Sequence, residues 1–263
     1  MKKRLLLFLC IFTLLLSTAA QAEDVTAADT SVPAPSAEKA DTLSPFARTR
    51  SYDGRFTDVD ASAWYHDAVA ALYEYGLTEG VSGSAYAPEG SVTIAELVTF
   101  AARLHALERG AAIPAAAAGE AWYRPYVRYL KAEKCLGDEL DGHYPESATR
   151  AQMAGVLASA LSAECYDERN AEAVTVGYAS HRRITDVDDY TPYQSDILRL
   201  YKWGIVGGVD EDGSFHPNDT LKHSELAALV VRMVEPSARL TLSWQSLSYR
   251  SAAGTTWGDL IAA

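Results

Sequence analysis

The chain is 263 residues long, with 35 acidic against 23 basic side chains and a formal net charge of −12. That balance excludes nucleic acid as a partner, because phosphate neutralisation by Lys and Arg supplies most of such affinity, and it argues equally against anionic lipid. An acidic polymer would have to be held by locally placed cations against the general field.

Residues 1–22 read as a signal peptide. Lys2, Lys3 and Arg4 precede an apolar run from Leu5 to Leu16, and Ala20-Gln21-Ala22 supplies small residues for cleavage. The run falls short of the roughly 20 residues a span needs. Cleavage would leave a soluble, exported chain, three units more negative. Residues 23–50 are rich in Ala, Ser, Thr and Pro and read as a flexible linker.

One unit then recurs three times, over 51–110, 119–165 and 182–236, and sets the architecture. In repeat 1, Phe56-Thr57-Asp58-Val59-Asp60 leads to Trp64-Tyr65. A first helix follows, with Val69, Leu72 and Tyr73 on one face and Gly76 at its end. After a loop, Thr93 caps a second helix with Glu96 as its capping-box partner, and Leu97, Val98, Ala101, Leu104 and Leu107 form its apolar face. Repeat 2 lacks the Asp-Val start. Trp122, Tyr126, Val127 and Leu130 line its first helix, Lys134 replaces the terminal Gly, and Thr149 with Gln152 opens its second. Repeat 3 runs from Ile184-Thr185-Asp186-Val187-Asp188 through Tyr193, Ile197, Leu200 and Tyr201 to Gly204. Lys222-His223-Ser224-Glu225 opens its second helix. Asp58 and Asp186 are expected to hold turns rather than touch a ligand. In the connector after repeat 2, Val174 and Val176 suggest a short strand.

Residues 237–263 change period. Leu240, Leu242 and Trp244, then Leu247 and Tyr249, alternate like a β-hairpin, as a tail or the start of an incomplete domain. Cys135 falls at the apolar end of a first helix, Cys165 past the end of the second helix of the same repeat. A helix of about 15 residues separates such ends by roughly 22 Å, beyond disulfide reach. A buried thiol at Cys135 and a free, partly exposed one at Cys165 are expected. The acidic runs do not match a calcium-loop spacing, the six histidines lack metal spacing, and no nucleophile-elbow, zincin or P-loop pattern occurs. The reading is therefore non-enzymatic, with no cofactor and no metal.

The ordered motifs, including Gly204-Ile205-Val206-Gly207, Asp212-Gly213-Ser214-Phe215-His216-Pro217 and Thr149-Arg150-Ala151-Gln152, resemble the S-layer homology family over Phe56 to Glu235. The resemblance implies a mainly α fold. Three helix-loop-helix repeats would form a pseudo-threefold spindle, with the first helices as a central bundle and the second helices as three prongs. It implies non-catalytic anchoring at the cell surface of an exported protein. The ligand would be a peptidoglycan-linked secondary cell-wall polysaccharide, often bearing a pyruvyl ketal, held in grooves between repeats. Surface proteins are further candidate partners.

The family's key cation is the Arg of its Thr-Arg-Ala-Glu motif, here Arg150. A guanidinium fork suits a ketal carboxylate, and the free N–H groups of a helix N-terminus would add to it. Arg150 reads equally as a solvated first-turn residue. Trp64 and Trp122 either pack at the bundle end, the reading favoured here, or offer a flat face to a sugar. In the Arg slot, repeat 1 has Ile94 and repeat 3 has His223 beside Lys222, while Pro192 replaces the Trp in repeat 3. The candidate glycan-binding residues are Arg150, Trp122, Lys222, His223, Trp64 and Gly207. The alternative function is a degenerate scaffold acting as a protein-interaction module.

Overall fold

The computed structural model of the chain describes residues 46–175, 184–210 and 213–242, all within one compact unit. The expected signal peptide, most of the expected linker and the expected hairpin beyond Leu242 lie outside these residues.

The described fold is mainly helical. Each repeat contributes two helices. These are α1 (His66–Glu74) and α2 (Ile94–Arg109), α3 (Arg124–Ala132) and α4 (Arg150–Ala158), then α5 (Gln194–Lys202) and α6 (His223–Val234). The boundaries follow local chemistry. The Oγ1 atoms of Thr93 and Thr149 accept from the backbone N–H of Glu96 and Gln152, and both capping boxes close. Lys222 has no side-chain acceptor, so α6 keeps only the half in which its backbone N–H donates to Glu225 Oε2 at 2.9 Å. The first helices end in the left-handed conformation at Gly76 and Gly204 (φ 72°), and at Lys134 (φ 61°) without a glycine.

Packing runs between repeats. α3 packs on α2, α5 on α4, and α1 on α6, so each first helix meets the second helix of the repeat before it and the last pairing closes the cycle. Three isolated β-bridges repeat this closure: Thr93 with Ser147, Thr149 with Thr220, and Ser91 with Lys222.

Burial differs between the first and the second helices. Only Val69, Ala71 and Leu72 are buried in α1, Pro125, Val127 and Leu130 in α3, and Ile197, Leu200 and Tyr201 in α5. The second helices are buried around most of their circumference. They can be, because small residues such as Ala95, Ala101, Ala102, Ala151, Ala154 and Ala227 let neighbours approach from several sides.

Three expectations are corrected. Residues 171–175 are helical, so Val174 is a buried helical residue and not part of a strand; its N–H donates to Asn170 O. The last residues of the expected linker are docked: Thr49 N–H donates to Glu74 O at 2.8 Å, and Arg48 bridges Glu74 and Glu235. Cys135 is half-buried rather than buried, and both Cys135 and Cys165 are free thiols. Asp58 and Asp186 do hold turns. Asp58 accepts from the N–H groups of Tyr86 and Ala87, and Asp186 from those of Phe215 and His216.

Candidate functional site

The cyclic packing leaves two grooves lined by matching positions. Counting from the N-cap of each second helix, Glu96, Thr99, Phe100 and Arg103 of α2 line the first groove, and Glu225, Ala228, Leu229 and Arg232 of α6 line the second. The turn after the preceding helix adds residues 78–81 to one and 206–209 to the other, including Gly207. The previous repeat contributes the Arg-slot residue, His223 to the first groove and Arg150 to the second. The following repeat contributes a tryptophan, Trp122 to the first and Trp64 to the second.

These tryptophans are not packed away as expected. Trp64 is 66% and Trp122 53% exposed. Each stands edge-on against its neighbour, Tyr65 or Tyr123, at ring centroid distances of 5.4 and 5.7 Å. The tyrosine body packs against the core and holds the indole out beside the groove.

Arg150 is also not where the sequence suggested. It is only 5% exposed. Its Nε donates to Phe215 O at 2.7 Å and its Nη1 to Glu225 Oε1 at 3.0 Å, with the guanidinium 5.1 Å from the Phe215 ring centroid. Nor does the N-terminus of α4 offer free donors. The N–H groups of Arg150 and Ala151 donate to Asp219 O and Pro217 O of the neighbouring loop. The loop carbonyls satisfy groups that a helix start otherwise leaves open.

His223 reproduces this joint with a different cation. Its Nδ1 lies 2.9 Å from Ala87 O, an acceptor only, so Nδ1 carries the hydrogen, and its Nε2 lies 3.5 Å from Glu96 Oε1. Burial alone would lower the imidazole pKa, but the bonds to Glu96 and Ala87 outweigh it and raise the value. Burial likewise opposes ionisation of Glu96, yet His223 and the Thr93 cap hold its pKa down at about 2. In both joints the capping-box glutamate uses one oxygen on its own cap and the other on the cation of the preceding repeat.

Arg103 and Arg232 were missed by the sequence reading. Each donates Nη1 to a carbonyl of its turn, Arg103 to Leu77 O at 2.8 Å and Arg232 to Ile205 O at 2.9 Å. The signal was available: each stands ten residues after its N-cap, where repeat 2 has Ser159.

Lys222 is not brought into either groove; its Nζ pairs with Glu89 at 2.7 Å on the surface. The third equivalent position is closed. Its floor is Gly155, and a Cβ there would lie 2.2 Å from Cδ1 of Tyr193. Tyr193 reaches it by adopting a left-handed backbone, φ 58°, where Tyr65 and Tyr123 have φ −96° and −85°.

Residues 55–97 and 183–227 match a known family, the S-layer homology domain. These two segments are S-layer homology domains. Over 44 residues, 17% of this chain, the sequence is 50% identical to the Surface-layer 125 kDa protein of Lysinibacillus sphaericus. Over 194 residues, 72% of this chain, it is 25% identical to an Amylopullulanase of Thermoanaerobacterium thermosulfurigenes. The chain spans 4% of the first relative's length and 10% of the second's. The family and the surface-layer relative point to a cell-surface location. No helix of the described residues is long and apolar enough to cross a membrane.

Proposed function

We propose that the chain is exported after loss of residues 1–22 and sits at the bacterial cell wall. There its repeats, at 51–110, 119–165 and 182–236, form a pseudo-threefold spindle. The spindle binds a carboxylate-bearing, peptidoglycan-linked polysaccharide without catalysis. The observation that carries this reading is the pair of matching grooves, each combining basic side chains with an exposed tryptophan drawn from another repeat. An indole face suits the C–H surface of a sugar ring, while a guanidinium suits its carboxylate. Trp64, Arg150 and Gly207 belong to the second groove, and Trp122 and His223 to the first.

The test is co-sedimentation of the exported chain with sacculi bearing native wall polymer and with sacculi whose polymer has lost its pyruvyl groups. Binding to the native sacculi alone is expected. Equal recovery with both, or with neither, would sink the reading.

A protein-interaction scaffold is the second reading. It is favoured by the closed third groove and by the internal pairing of Arg150. A protein partner captured from the cell surface, without any retention on sacculi, would support it.

A further inference from the structure

The cations of the two grooves are not in equal states. Arg150 has its Nε and Nη1 committed to Phe215 and Glu225, and its side chain is only 6% exposed. An approaching carboxylate would meet Glu225 together with it. His223 is equally committed, to Ala87 and Glu96. These two residues stitch one repeat to the next.

Arg232 differs. It makes no ion pair among the described residues, and one hydrogen bond, from Nη1 to Ile205 O, fixes its orientation. A guanidinium carries five N–H donors, so most of its donors remain unspent in the groove it lines. Burial pushes its pKa down with no carboxylate to offset the cost. A half-buried cation in that state gains from an incoming anion what an internally paired one has already gained. Arg103 repeats the arrangement with its bond to Leu77 O.

The surroundings rank the two. The second groove sets two arginines against one carboxylate, Glu225, and has Gly207 in its turn. The first sets Arg103 and His223 against Glu96 and Glu79, the latter at the position of Gly207. Repeat 2 has Ser159 at the equivalent position, beside the closed third groove.

We infer that Arg232 is the side chain that grips the carboxylate of an anionic sugar, with Arg103 as its weaker counterpart, while Arg150 and His223 are positioning residues that shape the groove wall. The inference rests on the glycan-binding reading for its sugar, but its anion chemistry is tested apart from the wall.

The probes are a methyl hexoside carrying a 4,6-linked pyruvyl ketal and its neutral methyl ester, titrated calorimetrically against the full chain. The parent should prefer the acid. Arg232→Met should lose that preference by about tenfold or more, as expected when a charge-assisted hydrogen bond is removed. Arg103→Met should lose less, and Arg232→Lys should keep part of it because charge remains without the fork. Arg150→Met should weaken acid and ester alike. Thermal melts identify a variant that fails to fold, and Arg232→Lys then carries the test against Arg150→Lys.

An unchanged acid preference in folded Arg232→Met, or a selective loss in Arg150→Met, overturns the inference. Acid binding through Arg232 without retention on sacculi upholds it and removes the wall reading. Retention on sacculi that Arg232→Met leaves intact does the reverse. A parent that binds neither removes both.

Discussion

Tyr193 lays its ring across Gly155, closing the space between α4 and α5 that the other two repeat junctions leave open. The contact predicts a change of sign. Gly155→Ala in the native chain forces the ring aside and should cost about 1–3 kcal/mol. In a Tyr193→Ala background the same change should instead stabilise, because Ala exceeds Gly in helix propensity by about 1 kcal/mol. A double-mutant cycle by urea denaturation measures the difference. Equal effects of Gly155→Ala in both backgrounds would refute the contact.

The joint between His223 and Glu96 predicts a pH window. The raised imidazole pKa means that the pair's stabilisation is complete below the ordinary histidine value, about 6.5. It is lost as pH rises through the higher folded value. On the acid side, the Glu96 contribution is complete above the ordinary carboxyl value and fades as pH falls toward about 2. Glu96 of α2 faces the imidazole, the Tyr86 ring lies 6.1 Å from it, and Glu89 is engaged by Lys222. The melting temperature of the native chain should therefore fall, as pH rises above about 6.5, more steeply than that of His223→Arg, which restores the Arg150 type of joint. Parallel profiles would remove the assignment.

Arg239 is buried with its side chain only 3% exposed. Its Nε donates to Arg232 O and its Nη2 to Cys165 O and Met233 O, while Nη1 pairs with Asp167. It thus closes carbonyls at the end of α6, where a cation also suits the helix dipole. Arg239→Met leaves those carbonyls without their donor and Asp167 with Arg169 alone, and should cost about 3 kcal/mol. Guanidinium denaturation reads this directly, and a loss below about 1 kcal/mol would contradict the account.

The left-handed helix ends predict an order of stabilities. At Gly76 the space around a Cβ is open, the nearest atom being 3.9 Å away, whereas at Gly204 it would lie 2.3 Å from Leu240 O. Both changes to Ala incur backbone strain of about 1–2 kcal/mol; only Gly204→Ala also displaces backbone. It should therefore be clearly the worse of the two in a thermal melt. Lys134→Gly should stabilise by about 1 kcal/mol, since Lys134 holds the same conformation with a Cβ.

The apolar periodicity made the six helices readable, and the Thr-x-x-Glu and Thr-x-x-Gln patterns placed two of their starts. Which helix packs on which was not readable. Val69 and Leu72 state that α1 has a buried face, but nothing in their spacing says that α6 covers it. The same limit hid the fate of Arg150: its pattern matched a ligand contact, while its burial depends on Phe215 and Glu225, 65 and 75 residues away. Arg103 and Arg232 were legible as a repeated position, yet a lone arginine on an apolar helix looks like ordinary surface until its turn carbonyl is known. Tyr193 was read as part of the helix stripe, and only its positive φ reveals that it fills a groove.

The pairing of α1 with α6 brings the two ends of the repeat array together. Arg48 touches Glu235, and Leu240 follows a few residues later. The order in which the repeats are threaded is then not demanded by their packing. A circularly permuted chain, joined across this seam and opened in the connector at residues 111–119, should keep all three helix pairings and both grooves.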